Sequence, residues 1–222
     1  MGVKENHKLS LLVTFPVRQA QPKIEITANR LSINGIPSVE VWEKPIQTIL
    51  VESMVASDDM VVEIGFGLGM ASEVIQRIGP REHWIIEAHH HVLASVLEKQ
   101  TLCANLIISP WQTVLPMIME NYFDAIVYDA DPDDREAFDG SSEATLKFVS
   151  PILTHAIRIL KPGGKLGFID FSGALRNHPE FHAKLTKYNF KLSFVSVPVN
   201  APPKCSYARN QIGDVITIIK LP

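Results

Sequence analysis

An apolar run that contains a single acid and passes into closely spaced glycines is the part of the sequence best suited to binding a ligand. The run is Met60–Ile64, and its acid is Glu63. Three glycines follow at every second position: Gly65, Gly67 and Gly69. Glycine permits positive φ angles and lets a ligand approach the backbone without meeting a Cβ atom. The segment Met70–Ile78 is predicted as a helix whose N-terminal amides face the same crevice.

The spacing of these glycines distinguishes two classes of cofactor. Dinucleotides need G-x-G-x-x-G, because their pyrophosphate sits on the N-terminus of the helix. The spacing here is G-x-G-x-G, with Glu63 just ahead of it, and this resembles the S-adenosylmethionine (SAM) site of class I methyltransferases. The methionine part of SAM carries an ammonium group, which a nearby carboxylate suits. The alternative is a glycine-rich turn that binds nothing.

Strands and helices alternate from residue 45 onward. The predicted strands are Met60–Ile64, 83–87, Asn105–Ile108, 123–129, 165–170, 190–197 and 214–220; the predicted helices are 45–56, Met70–Ile78, 92–99, 111–120, 143–160 and 178–187. This order implies an α/β fold of the Rossmann-like, class I methyltransferase type, with a seven-stranded, mostly parallel sheet and helices on both faces. Residues 1–22 are predicted as a mobile N-terminal arm, ahead of a single domain at 23–222.

Composition excludes several classes of function. The chain has 222 residues, 46% of them hydrophobic, which is enough to bury the core of one domain. A net charge of −3 does not indicate the basic surface with which proteins bind nucleic acid or an anionic membrane. No apolar run approaches the ~20 residues of a membrane-spanning helix, and we see no secretory pattern. Cys103 and Cys205 are expected to be reduced thiols in a cytoplasmic protein.

Three acids lie at or near the carboxyl ends of predicted strands: Glu63, Glu87 and Asp129. Ligands of parallel sheets bind outside those ends. Glu87 follows Gly65 by 22 positions, the spacing at which an acid receives ribose hydroxyls. Asp129 is placed to hold a cationic or N–H-bearing substrate and to take up its proton. Trp111 is either a wall for the adenine, with Gln112 at the edge of the base, or a core tryptophan.

Six motifs, in order from about residue 31 to 211, resemble those of guanidinoacetate N-methyltransferase. They are Pro37-x-x-Glu40-x-Trp42-Glu43-x-Pro45, Glu63-x-Gly65-Phe66-Gly67, Glu82-His83-Trp84-Ile85-Ile86-Glu87, Tyr128-Asp129-x-x-Pro132, Leu160-Lys161-Pro162-Gly163-Gly164 and Pro202-Pro203-x-Cys205-x-Tyr207. The resemblance implies that Glu43 and Asp129 grip a guanidinium, whose rigid fork of N–H donors matches carboxylates. Asp129 is then the proton acceptor, and Glu43 is the anchor.

The same resemblance implies further contacts. Glu87 binds the ribose, Ala88 and the Trp111-Gln112 pair line the adenine, and Phe171-Ser172 lie beside the substrate. The sequence departs from the family at Gln112, where the family has Glu, and at Ala130-Asp131, where it has Thr-Tyr. We expect the grip on the guanidinium to survive these changes, whereas the far end of the substrate is expected to differ.

Two other features bear on function. His89-His90-His91 looks like a metal cluster, but three consecutive residues cannot all face one ion, so no metal is predicted. The expected partner is a cationic small molecule, and homodimer formation is left open. Two alternatives also stay open: methylation of another acceptor, such as an amine, an indole or an activated carbon, and a SAM-binding protein without turnover.

Overall fold

The structure is a computed structural model that describes residues 11–14, 22–97, 102–131, 141–203, 205, 207–208 and 210–222. The strands, in chain order, are β1 Leu11–Thr14, β2 Ile24–Ile26, β3 Arg30–Ile33, β4 Ile36–Glu40, β5 Met60–Ile64, β6 Glu82–Glu87, β7 Asn105–Ile108, β8 Phe123–Tyr128, β9 Leu160–Asp170, β10 Phe190–Pro198 and β11 Ile212–Lys220. The helices are α1 Lys44–Met54, α2 Met70–Ile78, α3 His90–Leu97, α4 Trp111–Val114, α5 Ser142–Ile159 and α6 Pro179–Lys187.

The main sheet has the order β1-β7-β6-β5-β8-β9-β11-β10. Its first six strands run parallel, and β11 runs antiparallel to both β9 and β10. The predicted α/β class with a mostly parallel sheet is therefore confirmed. Successive strands β5, β6 and β7 extend to one side and β8 to the other, so the strand order reverses beside β5. In such sheets that reversal opens the ligand crevice.

Within the described residues the main sheet has eight strands rather than the predicted seven. The additional strand is β1, which pairs in parallel with β7 along its full length. It falls inside the segment predicted as a mobile arm, most of which lies outside the described residues. The arm and the domain boundary at residue 23 stay predictions.

Helices cover both faces of the sheet. On one face, α1 and α2 pack on β5, β8 and β11 around the buried residues Val51, Val61, Ile75, Val127 and Val215. On the other face, α4, α5 and α6 pack around Ile126, Ile152, Leu166, Phe181 and Ile216. Among the described helices, none combines the length and the apolar character that crossing a bilayer requires.

The two largest errors in the predicted boundaries each have a local reason. The helix expected over 111–120 stops at Val114 and continues as a 3₁₀ turn, Leu115–Met117, because Pro116 lacks the N–H that the next α-helical bond needs. Residues 161–164 were expected to separate α5 from a strand beginning at 165. They belong instead to β9, whose register with β8 shifts between Phe123 and Ala125.

A small second sheet, in the order β2-β3-β4, leads into the site. It ends at Glu40, and a 3₁₀ turn over Val41–Glu43 passes directly into α1. Pro45 occupies the first turn of α1, where its missing N–H is not needed, as the sequence predicted. The turn thereby fixes the position of Glu43 at the start of α1.

Candidate active site at the carboxyl ends of the central strands

The register of the three central strands ranks the predicted acids by depth. Glu63 of β5 is paired with Ile85 of β6 and with Val127 of β8. Glu87 and Asp129 therefore lie two residues closer to the carboxyl edge, on the same face of the sheet as Glu63. Glu63 is fully buried below them, deeper than an acid at the edge of the sheet.

The glycine turn after β5 is held between its two neighbouring strands. Gly65 has a φ of +85°, and its N–H donates to Ile86 O at 2.9 Å. A Cβ atom on Gly65 would lie 2.4 Å from Asp129 O, and one on Gly67 would lie 2.9 Å from Val39 Cγ1. Larger residues therefore cannot replace either glycine without moving the backbone or β4. The close packing keeps the turn between Glu87 and Asp129.

Glu87 is bound to the turn itself. Its Oε2 accepts from Phe66 N at 2.9 Å, and its Oε1 accepts from His89 N at 2.8 Å. The side chain is 7% exposed, and this burial raises the pKa of its carboxyl group. Ala88 follows it, half-buried, between β6 and α3. The predicted ribose-binding acid thus stands against the glycine turn, and its role with ribose stays a prediction.

Glu63 is held by side chains. Ser72 of α2 donates its hydroxyl to Glu63 Oε2, and His83 Nε2 lies 2.9 Å from the same oxygen. Glu63 Oε1 is buried and has no hydrogen-bond partner within the described part of the chain. A buried acceptor without a donor is costly, so this oxygen is available to a ligand that donates.

Glu43 and Asp129 are linked through α1. Glu43 is 4% exposed, and its Oε1 accepts from Glu40 N at 2.8 Å. One turn later on the same face, Gln47 Nε2 donates to Asp129 Oδ2 at 2.8 Å. Glu43 therefore stands at the start of the helix that, one turn later, donates to Asp129.

Tyr207 brings the C-terminal segment to the same place. Its hydroxyl donates to Glu43 Oε1 at 2.6 Å. Its ring stacks on Trp42 with centroids 5.8 Å apart, and Phe171 meets both rings edge-on at 5.5 Å. Phe171 thus packs against two rings, one next to Glu43 in sequence and one bonded to it through its hydroxyl. The hydroxyl of Ser172 donates to Asp170 Oδ1, and the contacts of Phe171 and Ser172 with a substrate stay predictions.

Trp111 lies in the core. Its indole is 8% exposed and packs edge-on against Tyr128 at 5.8 Å and His155 at 6.0 Å. Of the two interpretations of this residue, the packing favours the core tryptophan, and lining of the adenine stays a prediction. Gln112 is exposed on α4, one residue further along.

Sequence reasoning missed four residues that contact the predicted acids: Gln47, Ser72, His83 and Tyr207. Gln47 carried a usable signal, since it stands one helical turn after Glu43. Tyr207 and His83 lay inside quoted motifs, but the motifs gave them no role. Nothing in the sequence paired Ser72 with Glu63.

These residues fit SAM better than a dinucleotide. Two carboxylates, Glu63 and Glu87, border the glycine turn and would repel a pyrophosphate. The unpartnered Glu63 Oε1 would instead accept from an ammonium group, and Glu87 would accept from hydroxyls. SAM is the cofactor that combines both donors.

Solved structures with the same fold include methyltransferases. The O-methyltransferase TomG from Streptomyces achromogenes, solved with SAM, superposes with a TM-score of 0.57 over 83% of this chain and 82% of its own, at 15% identity. Spermidine synthase from Thermotoga maritima superposes with a TM-score of 0.59 over 86% of this chain and 65% of its own, also at 15% identity. At this level of identity the likeness shows the fold alone.

Curated relatives of low identity are named as arginine N-methyltransferases. Protein arginine N-methyltransferase 2 of Kluyveromyces lactis is 30% identical over 145 residues, which cover 61% of this chain and 33% of the relative. Protein arginine N-methyltransferase 2 of Yarrowia lipolytica is 28% identical over 147 residues, covering 61% of this chain and 28% of the relative. The chain therefore spans about a third of the length of these relatives.

The family model of guanidinoacetate N-methyltransferase matches residues 15–187, which is most of the chain. The match includes the 3₁₀ turn with Glu43, the glycine turn, and the ends of β6, β8 and β9. The chain belongs to the guanidinoacetate N-methyltransferase family.

Proposed function

We propose that this protein methylates a small guanidino compound on nitrogen, with Glu43 anchoring the guanidinium and Asp129 accepting the proton. The observation that carries the proposal is that α1 begins at one of these acids, Glu43, and donates to the other, Asp129. Gln47, one turn after the Glu43 carboxylate, donates to Asp129. A guanidinium is planar, carries its charge over three nitrogens and offers N–H donors in two directions, so it can satisfy two carboxylates at once.

Hydrogen bonding supports a division of labour between the acids. Glu43 Oε1 accepts two donors, Glu40 N and the Tyr207 hydroxyl. Donors to a carboxylate stabilise its charged form, so Glu43 is suited to remain ionised as an anchor. Burial and the neighbouring Glu43 carboxylate raise the pKa of the Tyr207 phenol, so it stays a neutral donor. Asp129 directly follows β8, and we assign to it the uptake of the proton.

The chain's own residues supply binding, orientation and a base. SAM, when held by the glycine turn with Glu63, Glu87 and the predicted adenine residues, supplies an electrophilic methyl group. As the acceptor nitrogen gains that methyl group, one N–H proton must leave, and an Asp129 carboxylate oxygen receives it. Glu43 holds the remaining N–H groups in place, so the reacting nitrogen has one orientation.

The comparisons support a guanidino acceptor. The family is named for guanidinoacetate, and the curated relatives are named as arginine N-methyltransferases. Both names specify an acceptor that ends in a guanidino group. One of the positions that differ is Asp131, which stands where the family has tyrosine and accepts a hydrogen bond from Ser38 of β4. We therefore propose that the far end of the acceptor departs from guanidinoacetate.

The test is incubation of the full chain with isotope-labelled SAM and two matched panels, read by mass spectrometry. One panel contains guanidino compounds, namely guanidinoacetate, free arginine and an arginine peptide, and the other contains the corresponding amines. We expect label only in guanidino compounds, on nitrogen. Label confined to amines, indoles or carbon acids would overturn the guanidino acceptor. Binding of S-adenosylhomocysteine without any transfer would favour a non-catalytic SAM-binding protein.

A further inference from the structure

A chain of hydrogen bonds, buried at Glu63 and exposed at Cys103, leads away from the site. His83 Nε2 lies 2.9 Å from Glu63 Oε2, and both side chains are 1% exposed. On the other side of the ring, His83 Nδ1 lies 2.8 Å from Gln76 Nε2. Gln76 in turn bonds to the backbone of Cys103, just ahead of β7. The chain therefore connects α2, β6 and the approach to β7 with the acid below the glycine turn.

The far end of this chain fixes the direction of every donor. Cys103 N donates to Gln76 Oε1 at 3.0 Å, and Gln76 Nε2 donates to Cys103 O at 3.2 Å. A backbone N–H cannot accept and a carbonyl cannot donate, so the Gln76 amide has one orientation only. Gln76 Nε2 must therefore donate to His83 Nδ1 as well. The proton of the His83 ring then resides on Nε2 and points at Glu63.

In this arrangement His83 accepts at Nδ1 and donates at Nε2. A proton on Nδ1 would face the amide protons of Gln76, placing two donors against each other. The contact between His83 and Glu63 is thus a hydrogen bond donated by the ring N–H at Nε2. Both donors, Ser72 and His83, are also directed at Oε2, which leaves the buried Oε1 without a hydrogen-bond partner among the described residues.

We propose that His83, locked by Gln76, is a positioning residue that aims Glu63 Oε1 at the ammonium group of the bound methyl donor. It commits one carboxylate oxygen to the protein and leaves the other, with the negative charge, for the cofactor. The charged contact is thus prepared before the cofactor arrives. The inference rests on SAM binding by Glu63 within the proposed function, and it is independent of the methyl acceptor.

The test compares two ligands by calorimetry. S-adenosylhomocysteine carries the amino acid part, whereas 5′-methylthioadenosine shares its nucleoside and lacks the ammonium group. We expect His83→Leu to weaken S-adenosylhomocysteine by about tenfold or more and to leave methylthioadenosine within about twofold of the parent. His83→Gln should restore most of the affinity, because its amide can accept from Gln76 and donate to Glu63. Equal weakening of both ligands, or of neither, would overturn the proposal.

Two controls separate positioning from stability. Val74→Ala truncates a core residue on α2, and we expect it to lower the melting temperature without changing either affinity. His182→Leu removes an exposed imidazole on α6 and should change nothing. If His83→Leu does not fold, nitrogen-15 NMR of the parent protein can report which nitrogen of the His83 ring carries the proton. A proton on Nδ1 would contradict the proposal. Transfer to a non-guanidino acceptor by a protein that passes this test would refute only the acceptor.

Discussion

The proposed cofactor half of this site, with Glu63 and Glu87, differs from the proposed acceptor half, with Glu43 and Asp129, in the donors that hold Glu87. In the cofactor half, Glu87 accepts from two backbone amides, one of them only two residues away. In the acceptor half, Asp129 and Glu43 accept from the side chains of Gln47 and Tyr207, which are 82 and 164 residues distant in sequence. A backbone N–H donor is kept when its residue is replaced by any residue other than proline, whereas a side-chain donor is lost with the side chain. The contacts of Asp129 and Glu43 with these side chains, like those of Glu63 with Ser72 and His83, can therefore be lost by single substitutions, whereas the contacts of Glu87 persist.

If the halves are independent, the largest effect should come from the proposed base. Asp129→Asn keeps the size of the side chain and can still accept from Gln47, but an amide cannot take up the substrate proton. We expect turnover to fall by at least about a hundredfold. Affinity for S-adenosylhomocysteine should stay within about twofold of the parent, measured by calorimetry.

The matched control for this variant is Asp58→Asn, which makes the same change at an exposed position before β5. It should leave both the rate and the affinity unchanged. An Asp129→Asn enzyme that turns over at the parental rate would show that another group receives the proton. A large loss of cofactor affinity in the same variant would show that the two halves are not separable.

A smaller effect, on cofactor affinity rather than on turnover, is expected from Glu87→Gln in the cofactor half. Loss of the carboxylate that is predicted to bind ribose should weaken S-adenosylhomocysteine by about tenfold, with little change in the KM of the acceptor at saturating SAM. Glu180→Gln, exposed on α6, is the control. If the acceptor KM changes as much as cofactor affinity does, Glu87 serves both halves.

The same variant has a defined pH signature without ligand. Burial raises the pKa of Glu87 above its ordinary value of 4.5, so its protonated form favours the folded state. The stability this provides is present below pH 4.5 and is lost as pH rises through the raised pKa. Relative to Glu87→Gln, the parent should therefore lose stability across that interval, measured as melting temperature against pH. A parallel course of the two curves would contradict the assignment.

Local signals made the cofactor half predictable. The bounds of β5 and α2 agree with the prediction, because a continuous apolar strand, three glycines and an amphipathic helix follow one another without a gap. The depth of Glu63 was not predictable, since it depends on the register of β5 with β6 and β8. The extent of α4 was misjudged because the helix was predicted to continue past Pro116, whereas it ends at Val114.

The acceptor half was predictable only as a pair of acids. Glu43 and Asp129 were inferred from motifs, and the contacts that hold them are tertiary. Nothing near Tyr207 in sequence points to the 3₁₀ turn at the start of α1, because that contact joins residues 164 positions apart and exists only in the folded chain. Long-range side-chain pairs of this kind do not leave a periodic trace in the sequence.

The smallest expected effect tests that long-range contact. Tyr207→Phe removes the hydroxyl that donates to Glu43 and keeps the ring that stacks on Trp42. Because Glu40 N still holds the same oxygen, we expect the acceptor KM to rise only about threefold to tenfold, on the order of 1 kcal/mol, with cofactor affinity unchanged. Tyr188→Phe, at the end of α6, is the control.

A second substitution at this position separates the hydroxyl from the ring. Tyr207→Leu also removes the stacking on Trp42 and the edge contact with Phe171, so its effect on the acceptor KM should exceed that of Tyr207→Phe. If the two variants are equal, only the hydrogen bond orients Glu43. If Tyr207→Phe matches the parent while Tyr207→Leu is impaired, packing rather than the hydroxyl positions the anchor, and the acceptor half depends less on directed donors than its geometry indicates.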